Sequence, residues 1–130
     1  IARLPTDLWV KAHIAKCSAL GVPVGVLQRG DPHSGIVVLK LNRLEAGCDV
    51  LVQGRNERGA LVWQPALEGR RVEEPEADAF IERQRKYDPD VYTMRAVYNV
   101  QDIDFDLSQF GLFLSLLLKF DNGKANQVIL

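Results

Sequence analysis

The chain has 130 residues, 47% of them hydrophobic and 25% charged, which fits one domain with a real core and is too apolar for a disordered protein. The formal net charge of -1 gives no global basic field, so we expect neither nucleic acid nor an anionic membrane as a partner. Two cysteines are too few for a secreted disulfide framework, no signal segment opens the chain, and no apolar run is long enough for a membrane span. We therefore expect a reduced, cytoplasmic setting.

A first helix is predicted for the segment LPTDLWVKAHIAKCSALG, which begins at Leu4. Thr6 is a good N-cap, Asp7 suits the positive end of the helix dipole, and Gly21 is a typical C-terminal stop. Polar side chains are few along this segment. We therefore expect the helix to be buried over most of its circumference.

Four strands are predicted after this helix. The runs VPVGVLQ and GIVVLKLNRL are rich in β-branched residues and flank the loop RGDPHSG at residues 29–35, which predicts a hairpin. The runs CDVLVQG and GALVWQP predict a second hairpin about RNERG, where Gly59 supplies the positive φ of the turn. Four strands in succession favour an antiparallel meander.

A second helix and a fifth strand complete the predicted domain. Pro75 lies near the first turn of the helix, and Asp88, Pro89 and Asp90 end it before the strand VYTMRAVYNV. The order helix-β-β-β-β-helix-β predicts an α+β domain of two or three layers, with a mainly antiparallel sheet of about five strands. We place this single domain at residues 1–100.

Residues 101–130 form a C-terminal extension of different composition. Three aspartates alternate with apolar residues at its start, and residues 110–120 are almost entirely apolar. As a helix, this apolar piece spans only about 16 Å, about half of the hydrocarbon core of a bilayer. We expect a docked, buried helix, with a partner-binding segment and an interfacial anchor as the alternatives.

Three segments together resemble a known family. RLPTDLWVKAHIAKC, RGDPHSGIVVLKLNRL and EADAFIERQRKYDPDVY are similar, in order and spacing, to the short alphaproteobacterial proteins of domain of unknown function 1491. The resemblance covers about residues 2–99 and implies an α/β or α+β fold, without an established activity. Members usually end soon after the last strand in a polar stub, so residues 101–130 depart from the pattern.

Candidate metal and catalytic sites lack the spacing that their chemistry needs. His13 and Cys17 are neighbours on the first helix, but a structural zinc site with them would need every one of the chain's two cysteines and two histidines. Asp31 and Lys40 resemble part of a metal-dependent nuclease site, yet Val38 stands where a carboxylate is required. We predict no metal, no cofactor and no catalytic residue.

The leading functional hypothesis is a non-enzymatic binding or accessory module that uses the loop at 29–35 on a protein partner or in self-association. Arg29, Asp31 and His33 are its predicted recognition cluster. The alternative is an enzyme or nucleotide-binding protein that recognises an anionic ligand through the same loop with Lys40 and Arg43. An enzyme requires a concave pocket into which polar groups converge, whereas a partner-binding surface is flat or convex with an apolar centre.

Overall fold

A computed structural model describes residues 4–19, 21–55, 57–59, 61–97 and 128–129. Within them the chain forms two α-helices and six strands. In chain order these are α1 (Thr6–Ala19), β1 (Val24–Gln28), β2 (Val37–Asn42), β3 (Cys48–Arg55), β4 (Leu61–Pro65), α2 (Glu74–Tyr87), β5 (Tyr92–Val97) and β6 (Val128–Ile129).

The six strands form one sheet in the order β1-β5-β2-β3-β4-β6. Neighbouring strands are antiparallel except β2 and β5, which are parallel. The hairpin of β3 and β4 is confirmed, and Gly59 in its turn has a φ of 79°. The α+β class and the mainly antiparallel sheet are therefore confirmed.

The predicted hairpin of β1 and β2 is wrong, because β5 lies between these two strands. Val24 pairs with Ala96 on one side of β5, and Val37 pairs with Tyr92 on the other. Strand β5 is buried along most of its length, whereas β1 is largely exposed, so β5 takes the central place and β1 takes the edge. The loop at 29–35 consequently crosses the start of β5, and the predicted four-stranded meander is reduced to β2, β3 and β4.

The two helices cover opposite faces of the sheet. Val10 and Cys17 of α1 belong to a core with Leu39 and Met94, and Ala77 and Ile81 of α2 belong to a second core on the other side that includes Val38 and Val50. All six residues of β2 are buried, as in sheets that are covered on both faces. The molecule therefore has three layers, with β2 at the centre.

The predicted burial of α1 over most of its circumference is wrong. Only Thr6, Val10 and Cys17 are buried, and Leu8 is half exposed. A helix in an outer layer contacts the sheet along one stripe, and alanine tolerates the solvent-facing positions that remain.

The predicted extension at 101–130 lies outside the described residues, apart from β6, which pairs with β4 through Val62↔Ile129 and Trp63↔Val128. None of the described helices is long and apolar enough to span a bilayer.

Candidate functional site

The loop at 29–35 lies tightly against the connection between α2 and β5. The backbone N–H of Asp31 donates a hydrogen bond to the carbonyl oxygen of Asp90 at 2.9 Å. A Cβ atom at Gly30 or at Gly35 would overlap that same carbonyl group of Asp90. Both glycines are therefore required by the close approach of two backbone segments.

The start of α1 holds the loop from the other side. The hydroxyl of Thr6 donates to the carbonyl oxygen of Gly35 at 2.7 Å, and the backbone N–H of Asp7 donates to that of Pro32 at 2.9 Å. The first N–H groups of a helix have no partner within the helix, and here the loop carbonyls accept from them. The predicted N-cap role of Thr6 is therefore wrong: Thr6 is the first residue of α1, and its hydroxyl donates to the loop and so joins α1 to it.

Asp31 closes the loop on itself. Its Oδ2 accepts hydrogen bonds from the backbone N–H of Ser34 at 3.0 Å and from the hydroxyl of Ser34 at 2.5 Å. The Ser34 hydroxyl, together with the backbone N–H groups, lowers the pKa of Asp31. The predicted cluster is therefore divided: Asp31 shapes the turn, while Arg29 and His33 are exposed.

A cleft of about 270 Å³ opens beside this loop, on the α1 face of the sheet. The start of α1, the second half of the loop and the end of β3 form its walls. Its lining residues are Leu4, Thr6, Trp9, His33, Ser34, Gly35, Ile36, Gln53, Gly54 and Arg55. Of the predicted recognition residues only His33 lines the cleft, where it is joined by polar side chains from β3 that sequence reasoning missed.

Gln53 and Arg55 are the residues that sequence reasoning missed. They alternate with Leu51 along β3 and therefore lie on the α1 face of the sheet. The sequence did contain a signal for them: the alternation of core-facing residues along β3 continues to the end of the strand with polar residues. The sequence alone did not show that the loop and α1 meet them there.

Lys40 lies away from the cleft, on the face covered by α2. Its Nζ atom is 2.9 Å from Oε2 of Glu74 and 2.7 Å from Oδ1 of Asp78, and Asn42 also donates to Glu74. Burial alone would lower the pKa of Lys40, but the hydrogen bonds to Asp78 and Glu74 raise it overall. Lys40 therefore joins β2 to α2 as a charged residue.

Arg43 lies at the end of β2 opposite to the loop. The six residues of β2 separate the two by about 20 Å along the strand. Nε of Arg43 is 2.5 Å from Oδ2 of Asp49, and Nε of Arg71 is 3.2 Å from Oδ1 of the same carboxylate. The structure thus does not bring the loop, Lys40 and Arg43 together at one site.

Comparison with known proteins decides the family. The family model described as "Protein of unknown function (DUF1491)" matches residues 4–97. The chain belongs to the DUF1491 family. No curated protein matches this DUF1491 chain.

Solved structures agree with this assignment. A crystal structure of a DUF1491 protein from Caulobacter crescentus is 29% identical, with a TM-score of 0.67, over 74% of this chain and 89% of that one. An NMR structure of a DUF1491 protein from the same organism is 26% identical, with a TM-score of 0.66, over 82% and 96% of the two chains. A solution structure from A. tumefaciens, 20% identical, shares the fold, with a TM-score of 0.65 over 75% and 88%. The predicted family and its alphaproteobacterial relatives are therefore confirmed.

An aromatic cluster of the DUF1491 chain lies behind the cleft. The rings of Trp9 and His13 stack with centroids 4.8 Å apart, and Trp63 meets Trp9 edge-on at 5.8 Å. Sγ of Cys17 is 3.7 Å from Nε2 of His13, and burial raises the pKa of Cys17 to about 11. Cys48 belongs to the core on the opposite face, so His13, Cys17 and Cys48 do not converge. In the described part of the chain, no three His, Cys, Asp or Glu residues are grouped to hold a metal ion.

His13 makes the stability of the DUF1491 chain sensitive to acid. Burial, with a smaller effect of Lys16, lowers its pKa from 6.5 to about 4. Below about pH 6.5 the unfolded state therefore binds a proton that the folded state does not, and stability is lost as the pH falls. When the pH falls from about 7.5 to about 5, we expect the free energy of unfolding of the native chain to decrease by about 2 kcal/mol more than that of the His13→Phe variant.

Urea denaturation of the native protein and of the His13→Phe variant at the two pH values measures this difference. The phenyl ring retains the stack on Trp9 but does not titrate, and the carboxylates that both chains share contribute equally to the two curves. Equal losses of stability would contradict the expectation.

Proposed function

We propose that this protein is a non-catalytic binding module whose ligand occupies the cleft beside the loop at 29–35. The observation that carries the proposal is the meeting, at one concave site, of polar side chains from the loop and from β3 with an apolar wall from α1. His33, Gln53 and Arg55 provide the polar groups, and Leu4 and Trp9 provide apolar surface. Such a mixture is typical of recognition sites.

The size of the cleft supports recognition of part of a larger ligand. Its volume of about 270 Å³ lies at or below the lower end of the range for small-molecule sites, roughly 300–1,000 Å³. A side chain with its flanking backbone fits this volume better than a nucleotide does. Arg29 is exposed at the start of the same loop, where it can contact a ligand that extends beyond the cleft.

The alternative hypothesis of an enzyme or nucleotide-binding protein has less support. It requires Lys40 and Arg43 to face an anionic ligand together with the loop, but carboxylates of the same chain neutralise both cations. Ser34 hydrogen-bonds to Asp31, whose lowered pKa makes it a poor general base near neutral pH. Binding without catalysis therefore accounts for more of the geometry.

The proposal is tested by blocking the cleft. A fragment set of small carboxylates and amides is screened by the shift in melting temperature, and the affinities of the hits are then measured by calorimetry. Ile36 is partly exposed at the cleft wall, so Ile36→Trp fills the site and is expected to weaken binding at least about tenfold.

The matched control is Val26→Trp, the same bulky change at a partly exposed aliphatic residue of the edge strand β1, outside the cleft. This control is expected to bind the hits as the native chain does. Hits that bind Ile36→Trp as tightly as the native chain would overturn the proposal.

A further inference from the structure

Strand β3 extends beyond its neighbour β2 at the cleft. The ladder between β2 and β3 ends at the pair Val38↔Val52, whereas the ladder between β3 and β4 continues to Arg55↔Leu61. Residues 53–55 thus have a strand partner on the β4 side, but none among the described residues on the β2 side. The loop leaves the sheet here, because Thr6 and the Asp90 connection hold it away.

The side-chain amide of Gln53 lies at this edge of β3. Its side chain lines the cleft, the residue is only 8% exposed, and no hydrogen bond joins its amide to another described residue. This amide is open to the cleft, and its oxygen and NH₂ group match the N–H and the carbonyl of a peptide bond. This amide is an observation independent of the strand edge, and its donor and acceptor suit a ligand with a peptide-like group.

The charge of the cleft selects for a carboxylate. Arg55 donates one hydrogen bond to the carbonyl oxygen of Gly59, and a guanidinium group has further donors. Among the described residues that line the cleft, none carries a carboxylate to neutralise Arg55. Leu4 and Ile36 are partly exposed on the other walls, where they can pack on an apolar side chain.

We infer that the cleft receives an extended peptide segment of a partner protein, which adds to the free edge of β3 at residues 53–55. Gln53 binds a peptide group, Arg55 binds an Asp or Glu side chain, and the apolar walls hold a neighbouring aliphatic residue. Main-chain pairing gives affinity in such strand addition, and the side-chain contacts give specificity. The inference rests on the proposed binding function and names its ligand.

The test is selection from a phage-displayed library of random short peptides on the full chain, followed by calorimetry with synthetic copies of the selected peptides. We expect selected sequences with an acidic residue next to an aliphatic one. Gln53→Met removes the amide at similar volume, and Arg55→Gln removes the charge. Each change is expected to weaken binding about tenfold, and Gln53→Met is expected not to lower the melting temperature, because the amide that it removes makes no hydrogen bond to the described residues.

Two controls distinguish main-chain pairing with β3 from nonspecific binding. Arg70→Gln changes an exposed arginine outside the cleft and is expected to leave affinity unchanged. N-methylation of the peptide at alternate nitrogens is expected to weaken binding, because only every second N–H faces the neighbouring strand.

The outcomes distinguish this inference from the proposed function. Fragments that bind the cleft without any selected peptide would overturn the inference and leave the binding module in place. Peptides that tolerate N-methylation and bind Gln53→Met and Arg55→Gln normally would also overturn it. The absence of both fragment and peptide ligands would overturn both proposals.

Discussion

Replacing Asp49 with alanine is expected to lower the free energy of unfolding by about 3–5 kcal/mol. Asp49 is 1% exposed and accepts from Nε of both Arg43 and Arg71. Removal of its carboxylate leaves the buried guanidinium group of Arg43 without this counter-ion, so the desolvation of that charge is offset less. Urea denaturation at neutral pH measures the loss.

Asp78→Ala is the matched control for this change. Asp78 also pairs with a buried cation, Lys40, but its own side chain is 55% exposed and Glu74 remains as a second partner. We therefore expect a loss of about 1 kcal/mol or less. If Asp49→Ala lowered the free energy of unfolding no more than Asp78→Ala does, Asp49 would not act as a buried counter-ion of Arg43.

Gly30→Ala is expected to lower the free energy of unfolding by about 3 kcal/mol, at the upper end of the usual cost of overpacking. The added methyl group overlaps the backbone of Asp90 and Val91, and backbone atoms cannot move aside as a flexible side chain can. The loop must then leave its position against β5. Because the second half of this loop forms one wall of the cleft, we also expect weaker binding of any cleft ligand.

The control for this change is Gly25→Ala in the edge strand β1. A Cβ atom there meets nothing within 4 Å, so the substitution is expected to leave stability nearly unchanged or slightly raised. Thermal and urea denaturation of both variants measure the contrast. Similar stabilities of the two variants would show that the loop tolerates a side chain at residue 30, against the packing described for it.

Local signals were sufficient to predict the helices and the hairpin of β3 and β4. Gly21 and Pro75 mark the end of α1 and the start of α2, and the turn about Gly59 joins two strands that are adjacent in the chain. The pairing of β1 was not predictable in this way. Its partner β5 is far along the chain, and an apolar run beside a turn has the same pattern whether it pairs with the next strand or with a distant one.

The candidate site was predictable in part. The loop was identified from its turn chemistry, and His33 does line the cleft. The other walls come from α1 and β3, whose meeting with the loop depends on the long-range contacts of Thr6 and Asp90. Lys40 and Arg43 look like free cations in the sequence, because the carboxylates that pair with them become neighbours only in the folded chain.

The central claim is that the start of α1, the loop and the end of β3 form one binding site. Titration of the ¹⁵N-labelled chain with a cleft-binding fragment, followed residue by residue through its amide resonances, tests it most directly. We expect the largest shifts at residues 33–36 and 53–55 and at the indole N–H of Trp9, and hardly any change at Lys40 and Arg43. Largest shifts around Lys40, Arg43 or the β1 edge, with the cleft unaffected, would contradict it.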